Sequence, residues 1–337
     1  LKETLMKSKS HLSVSLNRRV MALGVMGAMV MPLAAQTPTA YPNRPIRLVV
    51  PYAPGGGLDT IMRMLAPKLS EILGQPITVE NKAGGGTMIA TDMVAKSAGD
   101  GYTLLATGAP IFLNPALGLK TPYDPLRDLV PISLVVNNPG LLLVNNSLGI
   151  KTVKELVALD ATHKPGLNYG SAGQGSITHL GGELLKSRLK LKMQHIPFNG
   201  SAPALTNLMG AQIPVLVDAM IPSFPQVKAG KVTALAIFAT ERSPLLPDVP
   251  TMTELGYSNM NFGGTFGLMA PGSTPPDIIQ KIHVALMQIL QAPEMRKNLV
   301  DRGFQVIGNT PIEYGQYIRR EIEGWTQIVK DNQIKPE

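Results

Sequence analysis

Four times along this chain a short apolar run ends in a small-residue loop that leads directly into a helix-spaced segment. The loops are Pro54-Gly55-Gly56-Gly57-Leu58-Asp59, Ala83-Gly84-Gly85-Gly86-Thr87, Ser171-Ala172-Gly173-Gln174-Gly175-Ser176 and Phe198-Asn199-Gly200-Ser201-Ala202-Pro203. Strand, glycine loop, helix is the repeating unit of a parallel sheet. Parallel neighbours cannot be joined by a tight hairpin and need a crossover, most often a helix. The pattern therefore predicts an α/β fold with helices on both faces of the sheet.

Residues 46–50, 77–80 and 102–106 read as buried strands. Residues 60–73 place Ile61, Leu65, Leu69 and Ile72 at helical spacing and stop at Gly74. A second helix is expected over 87–96. Residues 132–136 and 141–144 read as two strands separated by Asn137-Asn138-Pro139-Gly140, a crossing between lobes. A second α/β set follows, with strands at 167–169, 193–196, 215–217 and 234–238 and helices at 153–159, 176–189 and 202–209. Residues 266–269 read as the return crossing, and 276–290, 293–301 and 311–330 as closing helices. A chain of 337 residues exceeds one core of ordinary size. Two lobes with a cleft between them are expected: residues 41–138, then 139–261, with 262–337 returning to complete the first.

The first residues have a different logic. Lys2, Lys7, Lys9, Arg18 and Arg19 precede an apolar run over 20–35 that ends in Ala34-Ala35. Basic region, apolar region, small residues is the order of an export signal. A spanning helix needs roughly 20 apolar residues, and this run is shorter and broken by Pro32. A cleavable signal over residues 1–35 is expected, through either the general or the twin-arginine route, and with it a periplasmic location. Without this leader the net charge falls from +8 to +4, with no basic run interleaved with aromatics. Nucleic acid is therefore not an expected partner. There is no cysteine, which excludes disulfides, thiolate metal sites and a lipid-anchored N-terminus.

The loops suggest the chemistry. The first turn of a helix holds N–H groups without internal partners and carries partial positive charge. Glycine lets a ligand approach that backbone closely. Such a terminus binds a carboxylate or phosphate with no charged side chain. Open α/β sheets place ligands at the carboxyl ends of their strands, where these loops lie. The spacings match neither the P-loop nor the dinucleotide fingerprint, so no nucleotide cofactor is expected. Asp59 stands where an N-cap belongs, and either caps alone, binds a ligand amine or orders its loop. Thr87, Ser171 and Ser176 either cap helices or offer hydroxyls to a carboxylate. Asp218 ends an apolar strand and is expected to face the cleft, or else to start a turn. His179 has no histidine at i+4, and His163, His195 and His283 show no metal-ligand spacing. Ser176 and His179 can be neighbours on one helix, but no acid is placed to orient the histidine and there is no Gly-x-Ser-x-Gly elbow. An enzyme is not expected. The methionines read as packing and Trp325 as a docking residue of the last helix.

These segments resemble the tripartite tricarboxylate transporter receptor family, also called the Bug family. The likeness runs through residues 41–59, opening Tyr41-Pro42-Asn43-Arg44-Pro45, and through Leu73-Gly74-Gln75-Pro76, residues 79–86 and residues 100–105. It continues at residues 170–176 with His179-Leu180, then at 227–231, 247–251 and 267–275, covering the chain in order after the leader. The resemblance implies a two-lobed periplasmic binding protein of type II topology that closes on a ligand, hinged near residues 137–141 and 260–266. It implies a monomer without a cofactor that hands a small carboxylate to a transporter permease. The alternative is an orphan receptor feeding the outer domain of a sensor kinase. Carried over, Gly56, Gly57, Asp59, Gly85, Gly86 and Thr87 form one wall of the site, partly through ordered water, and Ser171, Ser176 and Asp218 the other. Thr265 stands where the family usually has Trp, and Gly84-Gly85-Gly86 where Gly-Ala-Gly is commoner. Both departures bear on ligand identity more than on fold.

Overall fold

The computed structural model describes residues 41–335. The expected signal over 1–35 lies outside the described residues. In the first half, β1 (Ile46–Val50) leads into α1 (Gly57–Leu73), β2 (Ile77–Asn81), a 3-10 turn (Gly85–Thr87), α2 (Met88–Ala95), β3 (Thr103–Thr107) and α3 (Pro110–Ala116). The long strand β4 (Leu129–Asn145) crosses to a second set: α4 (Val153–Thr162), β5 (Asn168–Ser171), α5 (Ile177–Leu189), β6 (Gln194–Pro197), α6 (Ser201–Met209), β7 (Val215–Ala219), α7 (Met220–Lys228) and β8 (Val232–Phe238). The chain returns through β9 (Gly263–Pro271) and ends in α8 (Pro276–Gln291), α9 (Pro293–Asp301), β10 (Gln305–Val306) and α10 (Pro311–Asp331).

The strand order is β2-β1-β3-β9-β4-β7-β5-β6, with β8 and β10 also pairing β4. Parallel strands run on each side, and antiparallel strands join them in the middle. Successive residues of β1 show why both faces are covered. Leu48 and Val50 pack with Ile61, Met62, Leu65 and Leu69 of α1 and with Ile282 and Leu286 of α8. Val49, pointing the other way, joins the core formed with Ile111, Phe112 and Leu113 of α3. Each such side chain contributes about 2 kcal/mol on burial. A third cluster fills the second half, where Leu141 and Leu143 of β4 meet Leu205 and Leu208 of α6. Trp325 is buried against Phe262, and its Nε1 donates to Glu321, so it docks α10 as its isolation in the sequence suggested.

Three features differ from the sequence expectation. Residues 137–140 are not a loop: β4 is continuous through them. Asn137, Asn138 and Pro139 pair with Thr265, Gly264 and Gly263. Gly140 is there for close approach, since a Cβ at this position would press on the Phe262 and Phe238 rings. Helices α3 and α7 were not expected, because Pro115 and Pro225 lie inside them. Helix α1 starts at Gly57, three residues earlier than its apolar spacing indicated.

Among the described residues no helix is long and apolar enough to cross a membrane. Two helical glycines make opposite predictions. At Gly182 a Cβ would collide with the hydroxyl-bearing edge of the Tyr169 ring, whereas at Gly324 of α10 it would meet nothing within 4 Å. Gly182→Val should lower the unfolding free energy by about 3 kcal/mol. Gly324→Ala should raise it by up to about 1 kcal/mol. Urea unfolding of the two variants checks both signs.

Candidate functional site

Strands β1 and β2 are parallel neighbours in register, Val50 opposite Asn81, so their two glycine loops emerge side by side. The same holds for β5 and β6, where Ser171 lies opposite Pro197. Both pairs of loops sit at the carboxyl ends of their strands. The third loop faces the first half: the ideal Cβ position of Gly175 lies 3.4 Å from Cδ1 of Leu117, just after α3.

The first loop is shaped by Asp59. Because α1 begins at Gly57, with Gly56 as its N-cap, Asp59 lies inside the first turn and does not cap. It is 3% exposed. Its carboxylate accepts from Gly55 N at 2.8 Å, from Arg63 Nε at 3.0 and 3.1 Å, and from Asn81 Nδ2 at 2.8 Å. Asn81 Nδ2 also reaches the carbonyl of Tyr52 at 3.0 Å. Burial pushes the Asp59 carboxyl up, but the bonds from Gly55, Arg63 and Asn81 outweigh it and hold the group below its usual 3.8. Asp59 therefore orders the loop and ties it to the end of β2.

The second loop turns through the left-handed region. Gly84, Gly85 and Gly86 have φ of 130°, 55° and 58°, and Thr87 follows at 76°. Glycine adopts this region freely, whereas for Thr87 it costs about 1 kcal/mol. The Thr87 side chain makes no capping bond, contrary to one of its two expected roles. Asn114 of α3 steadies the loop by donating to the carbonyl of Gly86 at 3.1 Å. Gly56, Gly57, Gly85 and Gly86 are all exposed. None of their N–H groups has a partner among the described residues.

The third loop is closed on itself. Ala172 N donates to Thr178 Oγ1 at 2.9 Å, Gly173 N to Ser171 Oγ at 3.2 Å and Gly175 N to His179 Nδ1 at 3.0 Å. Ser176 caps α5 by accepting from His179 N, and its own hydroxyl donates to the carbonyl of Gly173 at 2.7 Å. Ser171 is fully buried, with Oγ 2.7 Å from Nε2 of His195. His179 and His195, sixteen positions apart in sequence, stack with ring centroids 3.8 Å apart. Sequence reasoning missed this pairing, because β6 is too short for its alternation to show which way His195 points. Neither serine can act as a nucleophile here. Ser176 faces no imidazole nitrogen, and Ser171 has no access to solvent. Among the described residues no cluster of His, Asp and Glu has metal-binding geometry.

Asp218, at 0% exposure, does not open into a cleft. It accepts from Ser201 Oγ at 2.6 Å and from Ser223 Oγ at 2.9 Å, tying the starts of α6 and α7 to the end of β7. Burial pushes its carboxyl up, and the two hydroxyls only partly offset this. Thr265 is buried on β9 opposite Asn137.

Asp59→Ala should lower the unfolding free energy by about 2 kcal/mol at neutral pH, the worth of hydrogen bonds to a charged group. In the parent protein this contribution is fully present above pH 3.8 and is lost as pH falls through the lower folded value. Urea unfolding at pH 7 and below pH 3.8, with Asp59→Asn as the non-titrating comparison, checks size and sign.

With this geometry in hand, comparisons with known proteins are informative. The family model described as "Tripartite tricarboxylate transporter family receptor" matches residues 61–334. Protein BugT of Bordetella pertussis is 34% identical over 324 residues, covering 96% of this chain and 99% of its own. Among solved structures, MatC from Rhodopseudomonas palustris with bound malate is 34% identical at a TM-score of 0.70, covering 86% of this chain and all of its own. Rpa4515 of the same organism, with adipate, is 30% identical at a TM-score of 0.74, covering 88% of this chain and all of its own. The two-lobed α/β architecture expected from the sequence is thereby borne out.

Proposed function

We propose that this chain, which belongs to the tripartite tricarboxylate transporter receptor family, captures a small carboxylate in the periplasm for delivery to a membrane permease. The observation that carries this reading is that the exposed glycines Gly56, Gly57, Gly85 and Gly86, on two adjacent loops that precede helices, have N–H groups with no partner among the described residues. They offer hydrogen bonds and helix dipole to an anion, with no cationic side chain required. Thr87 belongs to the same wall. Asp59, Ser171, Ser176 and Asp218 serve the site from behind: they fix the loops that carry it. We read residues 41–138 and 262–337 as one lobe and 139–261 as the other. The change of partners along β4 supports this division, with Asn138 and Pro139 paired to β9 and Gly140 to β7 and β8. Closure would rotate the lobes about this strand and β9, bringing the third and fourth loops over the bound anion.

MatC and Rpa4515 hold malate and adipate, both dicarboxylates, which supports the carboxylate class and supplies the first probes. Thermal unfolding of protein refolded without ligand, in the presence of malate, adipate, citrate and their neutral amides, tests the reading. A ligand at a thousand times its Kd stabilises the native state by about 4 kcal/mol, raising the midpoint by several degrees. Acids should shift it and amides should not. Gly86 has open space around its Cβ position and a left-handed φ that Asp tolerates. Gly86→Asp should therefore fold and abolish the shift by repulsion. An unchanged shift in that variant, or none across the acids, would overturn the proposal.

A further inference from the structure

The third loop is held by an imidazole nitrogen that can bind a proton, and nothing in the proposed capture of a carboxylate requires that. Gly175 has a left-handed φ of 68°, and its N–H points back to Nδ1 of His179 at 3.0 Å. An N–H can donate only to a bare nitrogen, so the neutral ring must carry its hydrogen on Nε2. Once Nδ1 is protonated, two donors face each other and the bond is gone. Of the other N–H groups of this loop, those of Ala172 and Gly173 are held by hydroxyls of Thr178 and Ser171, which do not titrate.

We propose that His179 is a positioning residue and a proton-operated latch: its unprotonated Nδ1 holds the Gly173–Ser176 turn in the shape the carboxylate site needs, and proton uptake releases it. The inference rests on the receptor reading for its purpose, though not for its geometry.

The groups facing the ring set the pH at which the latch works. His195 of β6 stacks on it at 3.8 Å, with the planes 13° apart. On α5 itself, Glu183 forms an ion pair with Lys186 at 2.9 Å. From β5, Tyr169 donates its hydroxyl to Glu183 at 2.7 Å. Burial holds His179 below its usual 6.5, Glu183 pulls it up and Lys186 pushes it down, with a net lowering. His195 is held lower still, at about 3, by burial, by His179 and by Lys186. Of the stacked pair, His179 is therefore the ring that takes a proton first as pH falls below 6.5. The sign follows. The latch is fully closed above pH 6.5 and opens as pH falls from there through the folded value.

The test is amide hydrogen exchange by NMR on the full chain, corrected for intrinsic rates, across pH 5 to 8. Gly175 exchange should accelerate as pH falls below 6.5, by up to about tenfold per pH unit until the folded His179 midpoint is reached, and level off below it, while amides in the middle of α5 stay protected. His179→Asn places an amide oxygen near the position of Nδ1, so it should hold Gly175 equally well at every pH. His179→Ala should leave Gly175 fast at every pH. In parallel, malate and adipate should bind the parent protein more weakly at pH 5 than at pH 7.5, with the pH dependence flattened in His179→Asn. Gly175 exchange independent of pH in the parent protein would overturn the latch. So would a midpoint at or above 6.5, or a His179→Asn profile that matches the parent. A normal Gly175 response with no binding of either acid would support the latch and strike the receptor reading instead.

Discussion

Strand β4 has to satisfy two sheets with one backbone, and the rest of the molecule is arranged around that. Its first part pairs with β9 and β10, and its last six residues with β7 and β8. A buried strand cannot leave its N–H and C=O groups unpaired, so the change of partners has to occur without a gap. It occurs at Pro139-Gly140. Proline has no N–H to satisfy there, and glycine lets Phe262 and Phe238 close over the backbone. Ile221 N donates to Oδ1 of Asn138, joining the crossing to the start of α7. Strand pairing is stiff along its length and yields by twisting, so two sheets on one crossing strand have a natural axis of relative rotation.

The parallel strands on either side then place the loops. Within each half, two neighbouring strands end level with one another, and each pair of loops shares one edge. The two halves use this arrangement differently. In the first, Asp59 gathers Gly55, Arg63 and Asn81, and the N–H groups of Gly56 and Gly57 have no partner among the described residues. In the second, Thr178, Ser171 and His179 take up the N–H groups of Ala172, Gly173 and Gly175 in the third loop. The two buried carboxylates differ in their partners: Asp59 is paired with the Arg63 guanidinium, whereas Asp218 is held by the Ser201 and Ser223 hydroxyls and the Ala219 backbone.

Much of the fold was legible in the sequence because β1, β2, β3 and α1 carry unbroken apolar patterns between strong stop signals. The failures share a cause. Asn137-Asn138-Pro139-Gly140 has the composition of a turn, and Pro115 and Pro225 are ordinarily helix breakers. At Gly140 close packing of Phe262 and Phe238 uses the missing side chain, and α3 and α7 form with Pro115 and Pro225 inside them, which local propensity gave no sign of. The site was half legible. Glycines at the helix starts announced the donors. That Asp59 lies inside the helix, however, depends on Gly57 and Leu58 being helical, which no apolar spacing required. The stacking of His179 on His195 depends on β5 and β6 being neighbours, a fact of topology that no local pattern carries.

A site made of backbone donors has a consequence for selectivity. In the proposed site, the N–H groups of Gly56 and Gly57 at the start of α1 and of Gly85 and Gly86 in the turn before α2 would fix where negative oxygens sit but say little about what joins them. The Gly84-Gly85-Gly86 turn acts in the same direction, since an all-glycine turn adds no side chain to the proposed wall. If the proposed site holds, the chain length and shape of the ligand would be judged by the opposite loops, the third of which is shaped by Ser171, Ser176, Thr178 and His179. Residues that do not touch the anion would then help to govern which anion is kept.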